Sequence, residues 1–270
     1  EAATADLNDM NMIDPFHLEA YGETTVNYNR DIEIYPVLRA MFEQIYGEFP
    51  YASPTAMGEN MAGLSIIDDE ACREASKQEI IRRYFKTACL VRQGLASEAE
   101  LQKIENLMRQ LKLEPENRPV VPAALKRAEA TGQPAAALEL PDGTIVTGRT
   151  SELLGASSAL TLNALKMLAG IPHEVKLISP TVIAPIQTLK TDYMQSRNPR
   201  LHTDEMLVAL AISAATDENA MRAMQKLDEL RGCDLHSSVI LGTVDDSVFK
   251  RLGINVTCEA TYEDNNLYHK

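Results

Sequence analysis

The stretch AAALELPDGTIVTG, residues 135–148, constrains this chain more than any other. Two short apolar runs flank Pro141-Asp142-Gly143, and that turn chemistry between such runs predicts a β-hairpin. A hairpin has two faces to cover, and the cover is written downstream. Ser151 is the expected cap of a long apolar helix running to Leu168 and closed by Gly170. EVKLIS (174–179) reads as a strand, after which Ser179 and Pro180 suit the N-cap and first-helical positions of another helix. Helices are expected over 203–215 and 217–231. They are followed by a strand in DLHSSVIL (234–241), a helix in DDSVFKRLG (245–253) and a strand in INVTCEA (254–260). Five strands interleaved with helices require a sheet covered on both faces. The expected fold class is α/β, with a five-stranded mixed sheet in a three-layer α/β/α sandwich over residues 123–270.

Residues 1–122 read differently, as a mainly helical domain. Asp14-Pro15 is a helix-start signal, since Asp14 can accept backbone N–H groups while Pro15 loses nothing at the first helical position. PFHLEAY then makes a short helix stopped by Gly22. A second helix opens near Asn29, carries Ile32, Tyr35, Leu38, Phe42 and Ile45 on one face, and ends at Gly47. After a turn-rich connection, Asp68 and Asp69 start the longest helix, which runs to about Arg92 and stops at Gly94. Ser97 and Glu100 form a capping box for the next helix, marked by Leu101, Ile104, Met108 and Leu111. The short loop between them predicts an antiparallel hairpin. LEPENRPVVP (113–122) reads as a linker or domain boundary.

Composition narrows the partners. The chain has 270 residues, enough apolar material for real cores, and a formal net charge of −13 from 26 Lys and Arg against 39 Asp and Glu. Nucleic acid and anionic membranes need clustered cations, so neither is expected as a partner. No apolar run is long enough to span a bilayer. Cys72, Cys89, Cys233 and Cys258 lack paired spacing and are read as reduced thiols of a cytoplasmic protein. The chain begins on Glu1 rather than Met, which is read as trimming or fragmentation.

Several long motifs carry a resemblance. EAATADLNDMNMIDPFHLEAYGETTVNYNRDIEIYPVL, EASKQEIIRRYFKT, ALELPDGTIVTGRTSEL, NPRLHTDEMLVALAISAAT and RGCDLHSSVILGTVDDSVFKRLGINVTCEA resemble the uncharacterised bacterial domain-of-unknown-function family numbered eighteen forty-six, over nearly the whole chain. The resemblance implies that this chain is the C-terminal portion of a longer protein, with a preceding α/β domain holding a glycine-rich phosphate loop. No GxxxxGK[ST] occurs here, so any ATP/Mg cofactor would belong to the full-length protein and none to this chain. The first domain would then be the tail of that preceding domain plus a helical hairpin. The second half is similar in topology to the cytidine-deaminase-like fold. Its zinc positions fall in TSELLGASS (150–158) and SPTVIAP (179–185), where Thr181 and Ala184 stand in place of two cysteines. Neither supplies a thiolate, so no metal is expected.

Two groups of polar residues are candidate sites. Asp9, Asp14, His17, Asn29 and Arg30 are candidates to face a nucleotide or metal, although helix capping already explains Asp14, in preference to ligand chemistry, and explains Asn29 equally well. Lys190, Arg197, Arg200 and His202 gather before the helix expected at Thr203. Helix N-termini attract anions and guanidinium groups suit phosphate or carboxylate, so a small anionic ligand is expected there. The competing reading pairs these cations with Asp204, Glu205 and the acidic surface. His236 alternates with apolar neighbours and reads as a satisfied sheet histidine. Three functional readings follow: part of a nucleotide-binding protein, a homo-oligomeric scaffold whose apolar helices 153–168 and 204–215 partly face another subunit, or a small-anion-binding module. The catalytic residues are not legible.

Overall fold

The computed structural model describes residues 69–263, together with Met41, Gln44, Ile45 and Gly47. These residues fall into two compact units parted between Asn117 and Arg118.

In the first unit, α1 (Asp69–Arg92) packs on α2 (Glu98–Leu111). The chain leaves α1 through Gly94, whose φ of +75° is open to glycine at no steric cost. The Ser97 side chain accepts the Glu100 N–H at 3.4 Å, and Glu100 accepts the Ser97 N–H at 3.2 Å. That reciprocal cap satisfies two of the donors every helix start leaves open. Met108 of α2 is buried, as are Ile80, Ile81 and Phe85 of α1. A short 3₁₀ turn, Pro115–Asn117, ends the unit.

The second unit is the α/β part. It opens with α3 (Val120–Thr131), then β1 (Ala135–Glu139) and β2 (Ile145–Arg149), then α4 (Ala156–Leu168) and α5 (Pro180–Thr188). A π-turn (Leu189–Tyr193) leads to α6 (Thr203–Ala214), α7 (Glu218–Met224) and a 3₁₀ turn (Leu227–Leu230). β3 (Asp234–Ser237), α8 (Thr243–Leu252) and β4 (Asn255–Cys258) complete it. The sheet order is β2-β1-β3-β4, with β3 and β4 parallel and the other pairs antiparallel.

The hairpin closes as its turn residues demand. Gly143 takes φ +82°, its N–H reaches Leu140 O at 2.9 Å, and Asp142 accepts the Thr144 N–H at 2.9 Å. β1 is the central strand with β2 and β3 on either side, and its alanines let both layers come close. Ala136 and Leu138 face the large core built with α4, α6 and Phe249 of α8. Ala137 faces the other way, onto Val120 and Ala124 of α3. Gly148 of β2 is where α4 touches the sheet: a Cβ there would stand 2.2 Å from the Leu160 backbone N.

Four strands are found among the described residues, where five were expected. EVKLIS makes no ladder. The Val175 N–H turns back to Pro172 O at 3.1 Å, and the adjacent Leu177 and Ile178 are both buried in the same core. Adjacent residues of a strand point to opposite faces, so a segment that buries both on one side is not a strand. The helix expected from Ser151 starts at Ala156 on a Gly155 N-cap. Ser151 instead closes a turn, accepting the Leu154 N–H at 3.1 Å. The expected linker is partly helix, since α3 begins at Val120, and the expected helix over 217–231 divides into α7 and the 3₁₀ turn. No helix among the described residues is long and apolar enough to cross a membrane.

Candidate functional site

The loop from the π-turn to α6 gathers the cations singled out in the sequence. Lys190 lies in the π-turn and is 6% exposed, so its ammonium needs partners. It donates to Arg200 O and to Glu205 Oε2, each at 2.6 Å. Arg200 Nη1 pairs with Glu263 Oε1 at 2.8 Å. His202 Nδ1 stands 3.8 Å from Asp245 Oδ2. Three of the four candidates thus meet a carboxylate. Arg197 differs: it is exposed and has no ion pair or hydrogen bond among the described residues.

The loop that carries Arg197 is braced from within. Gln195 takes φ +56°, the Ser196 N–H donates to Lys190 O at 2.8 Å, and the buried Asn198 accepts the Arg200 N–H at 3.1 Å. Ser196 Oγ accepts the Asn198 N–H at 3.2 Å.

Three helices begin around this loop's end. Leu201 O accepts the Gly155 N–H at 3.3 Å and the Ser158 hydroxyl at 2.8 Å, which ties the start of α4 to the start of α6. Asp245, in the first turn of α8, accepts the Thr203 N–H at 2.8 Å, which ties α8 to α6. Glu205 Oε2 accepts the His202 N–H at 2.8 Å. Helix starts carry partial positive charge, and carboxylates meet it here for α6 and α8. Asp245 lifts the His202 pKa above its usual value, against the effect of burial and of Lys190. Burial raises the Asp245 carboxyl, but contacts with His202 and Thr203 outweigh it and the net shift is downward.

A second polar network lies on the α3 side of the sheet. Arg118 is fully buried. Its Nε donates to Thr257 Oγ1 at 3.1 Å, its Nη2 to Asn255 O at 2.7 Å and Leu235 O at 3.4 Å, and its Nη1 pairs with Asp234 at 2.9 Å. His236 is fully buried too, with Nδ1 at 2.9 Å from Thr257 Oγ1 and Nε2 at 3.2 Å from Glu259 Oε1. Burial holds its pKa below the usual histidine range, helped by Arg118 and opposed by Glu259. The Thr257 hydroxyl spends its one proton on Leu235 O at 3.0 Å, so its oxygen faces Arg118 Nε and His236 Nδ1 as an acceptor.

Asp9, Asp14, His17, Asn29 and Arg30 lie outside the described residues. Sequence reasoning brought Lys190, Arg197, Arg200 and His202 to one helix start, where the structure has them, but missed Asp245, Glu263 and Arg118. Those partners sit 42 or more residues away from the groups they bind, beyond any local pattern. An Arg before a Pro-Val-Val-Pro run carried a hint, since a cation there is adjacent to an apolar helix face. Among the described residues no three His, Cys, Asp or Glu side chains group as a metal site would need.

Two family models match. "Domain of unknown function DUF1846, N-terminal" covers residues 1–112 and "Domain of unknown function DUF1846, C-terminal" covers 116–268. The likeness therefore takes in both parts of the family, which corrects the expectation of a C-terminal portion alone. A "UPF0371 protein" of Streptococcus thermophilus is 58% identical over all 270 residues, and one of Streptococcus pneumoniae is 57% identical over the same span. The chain spans 55% of the length of each.

Proposed function

The chain belongs to the DUF1846 family, and from that premise we propose that its second unit binds a small anionic ligand, a molecule bearing a phosphate or carboxylate group, where α4, α6 and α8 begin. The observation that carries this reading is Arg197, an exposed guanidinium without a partner among the described residues, held out by a loop with its own internal bonds. A braced loop lowers the ordering cost of capture, and a guanidinium fork matches either anion. The layering of α3, the sheet and α4 also supports a sandwich with its site at one end of the sheet. In open α/β sheets ligands settle beyond the carboxyl ends of strands, which here include β3 and β4.

Titration of inorganic phosphate and of citrate into the protein by calorimetry tests the reading. Binding is expected to weaken with added salt, as exposed charge attraction is screened. Arg197→Gln is expected to weaken it about tenfold, the loss of one charge-assisted hydrogen bond. Absence of binding by either anion at low salt would refute the reading.

A further inference from the structure

The three helix starts are not equivalent, and the difference locates a seat for the anion. Those of α6 and α8 are already supplied with carboxylates: at α6 Glu205 and Asp245 accept from His202 and Thr203, and α8, which also begins on a glycine without a side-chain cap, Gly242, carries Asp245 and Asp246 in its first turn. α4 has none. It begins on Gly155, with no side-chain cap and no acidic residue in its first turn. Its ladder starts at the Ala159 N–H on Gly155 O, so the N–H groups of Ala156, Ser157 and Ser158 have no partner among the described residues.

An independent feature points to the same place. Ser157 and Thr150 are each 2% exposed, and neither hydroxyl has a hydrogen-bond partner among the described residues. Their placement follows from the packing at Gly148. The Leu160 backbone lies directly over Gly148, and Ser157 is one helical turn back from Leu160 toward the start of α4. Thr150 is two residues on from Gly148, on the same side of the strand, with its N–H still bonded to Pro134 O at 2.8 Å. Both residues therefore border the end of β2 and the start of α4. Arg149 brings a guanidinium to that strand end, its Nη1 donating to Thr150 O at 3.1 Å.

Buried polar groups are nearly always satisfied, and three N–H donors with two hydroxyls at a helix start select an acceptor from outside the protein. We propose that the N–H groups of Ala156, Ser157 and Ser158, with the hydroxyls of Ser157 and Thr150, form the seat for one oxyanion group. The ligand is a free oxyanion or the terminal phosphate or carboxylate of a larger molecule whose body stays outside, since Ser157 and Thr150 as residues are almost closed off from solvent. This rests on the anion-binding reading above and adds its location.

Gly155→Asp tests the seat by supplying the missing carboxylate from the chain itself. The site accepts a Cβ, because Gly155 has φ −66° and the nearest atom would be Leu201 O at 3.8 Å. Calorimetric titration of inorganic phosphate into G155D is expected to show at least a tenfold loss of affinity, with a Tm equal to or above that of the parent protein. Ser157→Ala is expected to weaken phosphate several-fold, which keeps the test open if G155D folds poorly. Phosphate binding that is undiminished in both variants, yet weakened by Arg197→Gln, would overturn the seat and leave the anion reading standing. No phosphate or citrate binding to the parent protein would overturn both.

Discussion

The two polar networks of the second unit use similar side chains to opposite ends. Beneath α3, one buried guanidinium is shared among two strand carbonyls, a threonine hydroxyl and Asp234. At the start of α6, cations are matched one to one with carboxylates: Lys190 with Glu205, Arg200 with Glu263, His202 with Asp245. The first arrangement ties β3 to β4 and leaves little for a ligand. The second is a set of separable pairs at a rim, with Arg197 exposed beside them. The two histidines report the difference. Burial dominates at His236 and disfavours its charged form, while a carboxylate dominates at His202 and favours it.

The largest expected effect falls on the shared network. Arg118→Met should lower stability by about 3 to 5 kcal/mol, because it strands the half-buried Asp234 carboxylate, two strand carbonyls and the Thr257 hydroxyl oxygen. Urea denaturation measures it, and a loss under about 1 kcal/mol would erase the contrast between the networks. Lys190→Met removes a more local pair, and about 1.5 to 3 kcal/mol is expected by the same measurement. An equal loss for the two variants would show that the rim is built as tightly as the sheet face.

The subtlest test is pH. Unfolded histidine titrates near 6.5. His236 is depressed, so the unfolded chain takes up its proton first, and stability declines as pH falls from about 6.5 through the lowered value. His202 is raised, so its contribution is complete below about 6.5 and disappears as pH climbs through the elevated value. Comparing stability between acidic and neutral pH for His236→Gln and His202→Gln should remove slopes of opposite sign. Slopes of one sign would break the comparison outright.

Much of the framework was legible because its signals are local. Pro141-Asp142-Gly143, the Ser97–Glu100 cap and the Ser179-Pro180 start each depend on residues within four positions, and each forms as read. EVKLIS misled because apolar residues in a buried irregular segment mimic a strand, and only the packing around Leu177 and Ile178 distinguishes the two. Ser151 misled in another way: serine suits turns as well as helix caps, and the turn to Leu154 took it. The site was half legible. The cations before Thr203 announce themselves, but Asp245 and Glu263 arrive through tertiary folding, and the lack of any carboxylate at the start of α4 is visible only once its neighbours are found to have them.

The alanines of β1 have a consequence for how this fold tolerates change. Ala135, Ala136 and Ala137 are wholly enclosed, yet they carry almost no side-chain volume to lose. The middle of the sheet is therefore insensitive to truncation and intolerant of growth, since a single added methylene presses on a helix from one side or the other. Sequence drift in this strand has one direction closed to it, and the layers on either side keep their separation for as long as it stays closed.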